Sequence, residues 1–348
     1  MTLVPLKADS PSQSKQATIV NLPVNQDEGF PPEAPRTPRV SVLMPVFNTA
    51  RFVAAAVRSI AGQSFTDWEL IIIDDGSTDG STRELQDLAN SEARIKLRIR
   101  ENLGLIATRN ELLRAATGEF VAWMDSDDVS LPDRLSLQVQ ALVDDPNLTC
   151  VGTAVQCIDP AGHLLNIERY PQEHVQIGLE QVKGGAQRFA TTMMRRVQAE
   201  AIGGFREPLR IGEDFDFLLR LGESGKLGNL PDILYLYRQH VASVCAAMGP
   251  QWIAYRDYIL SLAKDRLNGG EDRLQNGALP MVAQVTARER LRFESQVFLN
   301  WASYSIKNRN YVLGLKYACY ALVRSPFSLL VWKRAVKTGL RACLRIRS

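Results

Sequence analysis

Acidic side chains follow three apolar runs of this sequence, and their placement predicts a site for a cation that carries a phosphorylated ligand. Asp125-Ser126-Asp127-Asp128 follows the run 120–124, Asp74-Asp75 follows a run of isoleucines, and Glu213-Asp214 follows Ile211-Gly212. Carboxylates at the end of a buried strand are costly unless a positive group is present, and a divalent cation supplies one. Three such acidic sites in one domain predict an active site.

Asp125 and Asp127 lie two residues apart, which places both carboxylates on the same side of an extended segment. That arrangement fits Mg²⁺ or Mn²⁺ bound to substrate phosphates. The alternative is a cap for the helix predicted to begin near Pro132, a role that Asp128 or Ser130 could fill alone. Three carboxylates in four residues exceed what a cap needs, so we favour the metal.

The remaining candidates each have a structural alternative. Asp74-Asp75 could accept hydrogen bonds from a nucleoside, although Asp-Gly-Ser is common turn chemistry. Glu213-Asp214 could equally complement a helix N-terminus. Arg109, on a predicted helix, reaches a diphosphate or forms a surface salt bridge. His240 is either a structural histidine or one that binds the metal or a phosphate.

Strands and helices alternate through the first part of the chain and must position these side chains. The predicted strands are 40–46, 68–73, 95–99 and 120–124, and the helices between them are 50–61, a polar helix to about residue 89, and 105–116. Strands that are apolar on both faces predict a mostly parallel sheet flanked by helices, an α/β fold. Ligands of such folds bind beyond the carboxyl ends of the strands, where the acidic sites at 74–75 and 125–128 lie.

The domain organisation follows from composition and periodicity. Residues 1–38 are rich in Pro, Ser and Gln and predict a disordered lead-in. Residues 39–245 form the predicted catalytic domain, in which 163–212 is hard to assign and includes candidate antiparallel strands. Residues 246–348 form a helical, basic region, with helices expected at 255–266, 287–306, 311–323 and 329–344.

Composition excludes several classes of protein. Of the 348 residues, 45% are hydrophobic and 23% charged, which excludes wholesale disorder. Five cysteines without a CxxC pair suit a reducing, cytosolic compartment. No apolar run approaches the ~18–20 residues that a membrane span needs.

Charge is distributed unevenly along the chain. Residues 295–348 contain ten Lys or Arg and no Asp or Glu, which leaves 31 basic and 38 acidic residues in 1–294. The basic residues alternate with Leu, Val, Trp332 and Phe327, as in helices that lie on anionic lipid. The alternative is a helical subdomain that packs on the catalytic domain. Apolar residues between the basic ones fit binding to lipid, or packing on the catalytic domain, better than binding to nucleic acid. We therefore do not expect the chain to bind nucleic acid.

Taken together, the motifs resemble those of family 2 glycosyltransferases over about residues 40–243. They occur in the family's order: Val40-Ser-Val-Leu-Met-Pro-Val-Phe-Asn48, Asp74-Asp-Gly-Ser-Thr-Asp79, Asn102-Leu-Gly104 with Arg109-Asn110, Gly118-Glu-Phe, Asp125-Ser-Asp-Asp128, Pro132-Asp-Arg-Leu135, Gly203-Gly-Phe205 and Glu213-Asp214. The chain departs from many relatives in having Phe47 where tyrosine is frequent, and it lacks the Gln-x-x-Arg-Trp signature of processive synthases. The resemblance therefore favours addition of one sugar at a time.

The resemblance implies a GT-A fold, a nucleotide-sugar donor, a divalent cation and inversion at the anomeric carbon. The residues assigned to donor binding are Pro45, Phe47, Asn48, Asp74, Asp75, Arg109, Asp125 and Ser126. The metal is assigned to Asp127 as principal ligand, with Asp125 and His240. Asp214 matches the general base, with Glu213 beside it.

The expected donor is a UDP-sugar, with GDP and dTDP open, and the expected acceptor is a saccharide or lipid-linked hydroxyl in cell-surface glycan synthesis. The expected location is cytoplasmic, with peripheral binding to the inner face of the plasma membrane if the basic tail binds lipid. One rival is a nucleotidyltransferase, but Pro45-Val-Phe-Asn-Thr-Ala50 lacks the glycine-rich loop expected there. The other rival is an inactive nucleotide-sugar-binding protein, which the intact Asp75, Asp127 and Asp214 argue against.

Overall fold

A computed structural model of the protein describes residues 37–181, 185–241, 251–270, 272–276 and 285–346. The predicted lead-in, apart from Thr37 and Pro38, lies outside the described residues, as does Cys245. Cys150 and Cys157 are buried free thiols, and Cys319 is an exposed one.

Nine strands form a single mixed sheet. They are β1 Val40–Val46, β2 Trp68–Asp75, β3 Ile95–Arg100, β4 Phe120–Trp123, β5 Val129–Ser130, β6 Leu148–Ile158, β7 Leu164–Glu168, β8 Met193–Arg195 and β9 Lys226–Arg238. Their order is β3-β2-β1-β4-β8-β6-β9-β5, and β7 pairs with β6. The first four strands run parallel, whereas β8 is antiparallel to both of its neighbours. The predicted α/β fold is confirmed, and the segment 163–212 does contribute antiparallel strands.

Eleven α-helices accompany the sheet within the described ranges. They are α1 Ala50–Ala61, α2 Ser81–Ser91, α3 Leu105–Ala115, α4 Arg134–Asp144, α5 His174–Gln181, α6 Arg196–Ala201, α7 Glu213–Ser224, α8 Trp252–Leu267, α9 Ala287–Lys307, α10 Tyr311–Arg324 and α11 Leu329–Ile346. A short 3-10 helix, Phe189–Thr191, precedes β8.

The sheet is buried on both faces because the side chains of its central strands alternate between two apolar cores. On β1, Val42 and Met44 point to one core, and Leu43 points to the other. The first core also contains Ile60 of α1, and the second contains Phe217 of α7. This two-sided burial explains why the strands read as continuous apolar runs rather than alternating ones.

The helices α9 and α10 continue the first core. Phe298, Trp301 and Tyr317 belong to the same buried cluster as residues of β1 and β2. The indole N–H of Trp301 donates to the side chain of Gln239 at 2.8 Å. The alternative that the basic tail packs on the catalytic domain therefore holds for these two helices. No described helix is both long and apolar enough to cross a membrane.

Candidate active site

The candidate site lies at the edge of the sheet where β1, β2 and β4 end. Because β1 pairs in parallel with both neighbours, their carboxyl ends meet there. Asp74 lies opposite Val46 in the register, and Asp125 follows β4 by two residues. The topology thus brings two of the three acidic sites to one place, as expected for ligand binding in parallel sheets.

Asp74 and Asp75 organise the turns after β2 and β3. Asp74 is fully buried, and its carboxylate accepts hydrogen bonds from the Ser77 N–H and the Thr82 hydroxyl. Asp75 accepts from the backbone N–H groups of Leu103, at 3.0 Å, and Gly104, at 2.8 Å. Asp74 therefore faces the turn, while Asp75 fixes the loop that leads into α3.

The end of β1 is tied to the same turn through Asn48. Asn48 has a positive φ of 54°, donates its N–H to the Ser77 hydroxyl, and accepts from the Thr78 N–H at 2.8 Å. Pro45 lies opposite Ile73 within the sheet. The side chain of Phe47 is left 49% exposed at this edge, which makes it available for stacking.

The segment 125–128 forms a turn instead of the extended segment expected from the sequence. The N–H of Asp128 donates to the carbonyl of Asp125 at 3.4 Å. One oxygen from each of Asp125, Asp127 and Asp128 lies within 4.8 Å of the others, because the turn folds the three side chains toward one another. The alternative that Asp128 caps the next helix is wrong, since α4 begins after Asp133 without any side-chain cap.

Residues of β9 and the segment that follows it close the acidic turn from the other side. Nε2 of His240 lies 2.8 Å from Oδ2 of Asp127. The N–H of Arg238 donates to the Asp128 carboxylate at 2.6 Å, and its Nε donates to the Asp127 carbonyl at 2.7 Å. The Asp125 N–H donates to the hydroxyl of Tyr235 at 3.2 Å. His240 is therefore placed within reach of a cation bound by the turn.

Arg109 of α3 is buried beside the acidic turn, so the surface salt-bridge alternative is wrong. Its guanidinium forms an ion pair with Glu213 at 2.7 Å and approaches Asp125 to 4.0 Å. The aromatic rings of Phe189 and Phe205 lie beneath the guanidinium, at 4.9 and 5.4 Å from their centroids. Arg109 thereby links α3, α7 and the acidic turn.

Glu213 and Asp214 open α7, as the sequence predicts. Gly212, which precedes them, has a φ of 74°, a left-handed conformation that favours glycine. Glu213 is buried against Arg109, whereas Asp214 is partly exposed and accepts the N–H of Phe215. The third acidic site is thus joined to the other two through Arg109.

The carboxylates of the site repel one another. Desolvation by the surrounding protein raises the pKa of Asp125 to about 6; the charges of Asp127 and Asp214 add to this, and that of Arg109 opposes it. Burial likewise raises the pKa of Glu213 to about 7. Yet the Asp125 side chain is 36% accessible, so solvent and ions can reach it. A cation bound beside it would relieve the repulsion.

The donor set fits a hard divalent cation. Asp125, Asp127 and Asp128 supply oxygen atoms, which Mg²⁺ and Mn²⁺ prefer, and His240 adds an imidazole nitrogen. One oxygen of Asp128 is buried without a hydrogen-bond partner among the described residues. This unsatisfied acceptor is the kind of group that a cation would satisfy.

Several residues of the site were missed in the sequence. Arg238 stands two positions before the predicted ligand His240, and Tyr235 lies on the strand that precedes both. The hydroxyl of Thr49 lies 3.0 Å from that of Ser126 and so connects the start of α1 with the acidic turn. The only signal for Arg238 was its proximity in sequence to His240.

Comparisons with known proteins identify the family. The model of glycosyl transferase family 2 matches residues 41–201. EpsE of Bacillus subtilis (strain 168), a protein that carries the name of a glycosyltransferase, is 37% identical over 207 residues, which cover 58% of this chain and 73% of EpsE. The chain belongs to glycosyl transferase family 2. It is therefore a glycosyltransferase.

Another relative has a more specific name. It is the UDP-Glc:alpha-D-GlcNAc-diphosphoundecaprenol beta-1,3-glucosyltransferase WfgD of Escherichia coli, 33% identical over 105 residues, which cover 30% of this chain and 41% of WfgD. Among solved structures, S. aureus TarS 1-349 in complex with UDP-GlcNAc matches with a TM-score of 0.52 and 17% identity. That match covers 86% of this chain and 89% of the TarS chain, and it shows the GT-A fold expected of the family.

Proposed function

We propose that this glycosyltransferase is a metal-dependent, inverting enzyme that transfers one sugar from a UDP-sugar to a hydroxyl of a saccharide or lipid-linked acceptor in cell-surface glycan synthesis. The observation that carries the proposal is the cluster of Asp125, Asp127 and Asp128 oxygens within 4.8 Å of one another, in which the charge of Asp214 helps to raise the pKa of Asp125. The name of WfgD supports both the UDP donor and a lipid-linked acceptor. A lipid-linked acceptor is met at a membrane, so we also propose a peripheral location on its cytoplasmic face.

The donor would bind across the carboxyl ends of β1, β2 and β4. The half-exposed ring of Phe47 offers a face for the nucleobase, beside the backbone of Pro45. Asp75 would accept a hydrogen bond from the base or ribose, while Asp74 and Asn48 hold the turn that positions Asp75. Arg109 would face the diphosphate, a role that its proximity to Asp125 supports.

Asp125, Asp127 and His240 would hold the cation, with Ser126 at the centre of the turn that presents them. The charge that such a cation would supply there is what stabilises a departing nucleoside diphosphate.

The chemical step requires one base. The carboxylate of Asp214 would remove the proton from the acceptor hydroxyl as that oxygen attacks the anomeric carbon. The bond from the anomeric carbon to the diphosphate oxygen breaks at the same time, and the nucleoside diphosphate leaves with the electron pair. A single displacement inverts the configuration. Glu213 would act as a positioning residue, since its carboxylate is engaged by Arg109 at 2.7 Å.

Donor binding and turnover can be separated with two isosteric variants. Thermal unfolding would be followed with UDP, GDP, dTDP or CDP, each with Mn²⁺ or with EDTA. We expect a rise in Tm with UDP and Mn²⁺ that EDTA removes. Asp127→Asn should lose this rise, because one ligand charge is removed, whereas Asp214→Asn should keep it.

Turnover would be measured as release of UDP from UDP-glucose and UDP-GlcNAc, with water as the acceptor whose proton Asp214 would remove. Asp214→Asn should reduce release by about 10²–10⁴-fold, the usual contribution of a general base. Asp87→Asn, an exposed change on α2, is the matched control and should behave as the wild type. Full turnover in Asp214→Asn would refute the role of Asp214, and an EDTA-insensitive rise in Tm would refute the metal.

A further inference from the structure

The helix α11 has two apolar faces, and only one of them packs on the part of the chain that the structure describes. Val331, Ala335 and Ala342 are buried. Val331 and Ala335 belong to the core that contains residues of α9 and α10. These positions recur at helical spacing, so they form a single stripe along α11. That stripe accounts for how α11 is attached to the protein.

The second apolar face is exposed to solvent. Trp332, Val336 and Leu340 recur every four residues and are 46%, 51% and 59% exposed. Leu329 continues the same stripe at 69%, and Phe327, in the turn before α11, is fully exposed. Exposed apolar stripes of this length are uncommon on proteins that remain free in solution.

Basic side chains flank the exposed stripe. Lys333, Lys337 and Arg341 follow Trp332, Val336 and Leu340 by one residue each, so they form a parallel row on one side. Together with the stripe they surround a shallow groove whose lining is mainly apolar. Because the chain contains no acid after Glu294, no carboxylate of this region neutralises the row.

We propose that the exposed face of α11, defined by Trp332, Val336 and Leu340 with Lys333, Lys337 and Arg341, binds the surface of an anionic lipid bilayer. An apolar stripe beside a basic row is the arrangement by which a helix lies in the interface, with apolar side chains among the acyl chains and cations at the headgroups. This partner rests on the proposed function, since a lipid-linked acceptor would be met on such a surface.

Two other occupants fit the charges less well. A second copy of the chain docked through the same face would bring two basic rows together without an acid from either tail. Nucleic acid would satisfy the lysines but would leave the apolar stripe in contact with phosphates and water. An anionic bilayer offers acyl chains to the apolar stripe and charged headgroups to the basic row.

The helix is connected to the candidate site through its neighbours. It packs against α9, whose Trp301 donates to Gln239, the residue before His240. A bilayer on α11 would therefore hold the enzyme through elements that also support the acidic turn.

The test uses the full-length protein and vesicles of phosphatidylcholine with or without phosphatidylglycerol, with bound protein measured by flotation. The wild type should bind only the anionic vesicles. A triple variant, Lys333→Gln, Lys337→Gln and Arg341→Gln, should bind about a hundred-fold more weakly, at ~1 kcal/mol for each cation. Trp332→Ser with Val336→Ser and Leu340→Ser should abolish binding, and circular dichroism should remain unchanged because all three side chains are exposed.

The matched control is Arg58→Gln with Arg83→Gln and Arg114→Gln, which removes three exposed cations from other helices and should bind as the wild type does. Equal weakening by the control would overturn the proposal, as would absence of vesicle binding combined with tight binding of DNA. A third result would also overturn it: a wild-type protein that is dimeric and does not bind vesicles, and that becomes monomeric when Trp332, Val336 and Leu340 are replaced by serine. Release of UDP measured without vesicles tests the proposed function separately, so either proposal can fail alone.

Discussion

Replacing Tyr317 by phenylalanine removes one hydroxyl from the contact between α10 and the sheet and leaves the ring in place. That hydroxyl donates to the carboxylate of Asp159, which is 1% exposed. Asp159 also accepts from the N–H groups of Ala161 and His163, at 2.8 Å each. Burial opposes the ionisation of Asp159, but these hydrogen bonds outweigh it and hold its pKa below the usual value of 3.8.

The expected loss follows from the charge of the acceptor. A hydrogen bond to an ionised group contributes about 1.5–3 kcal/mol, so Tyr317→Phe should lower the free energy of unfolding by that amount at pH 7. Because the pKa of Asp159 is lower in the folded state, its stabilisation is present above pH 3.8 and is lost as the pH falls through the folded pKa. The difference between variant and wild type should therefore shrink in acid.

Urea unfolding followed by circular dichroism at pH 7, 5 and 3.5 measures this difference. Tyr320→Phe is the matched control: its ring contacts the same aromatic cluster, but its hydroxyl has no hydrogen-bond partner in the described chain. The control should stay within ~0.5 kcal/mol of the wild type. An equal loss in both variants, or a loss for Tyr317→Phe that does not change with pH, would refute the reasoning.

Two further substitutions test the elements around the acidic turn. Glu213→Gln removes a carboxylate whose pKa the folded protein raises to about 7, so the free energy of unfolding in urea at pH 8 should not fall. A loss of more than about 1 kcal/mol would show that the ion pair with Arg109, at 2.7 Å, outweighs the cost of burying this charge. Gly212→Ala should lower the free energy of unfolding by about 1–3 kcal/mol, because φ is +74° and the new Cβ would lie 2.7 Å from Ile259. Gly178→Ala, with open space around it, is the control. Equal losses in the two variants would contradict the argument.

The parts of the fold that depend on local periodicity were accessible from the sequence. Strands β1, β2 and β4 are apolar on both faces, β2 ends in Asp74-Asp75, and Asp125 follows β4 by two residues, so the edge that carries the site could be predicted. The family motifs added the order of the site residues. The helices α9, α10 and α11 also lie close to the predicted bounds, since Ser325-Pro326 marks a clear break.

The rest depends on contacts between residues far apart in the chain. Arg238 contacts Asp127 and Asp128 across about 110 residues, and no local pattern encodes that approach. The sequence predicts an extended segment at 125–128, whereas the structure has a turn. The hydrogen bonds that shape this turn come from β9, which lies far away in the chain. Between residues 163 and 212 the elements are short, so periodicity has too few residues to distinguish helix from strand.

One end of the sheet bears on solubility. Strand β3 is the last strand in the order, and an uncovered strand edge can template pairing with another chain. Lys96, Arg98 and Arg100 alternate along β3, and Arg100 is held by Asp75 at 2.9 Å. A strand approaching from another molecule would meet the exposed side chains of Lys96 and Arg98. Strand β3 therefore has two roles: Arg100 holds Asp75 in the candidate site, and the cations of the strand oppose aggregation through its edge.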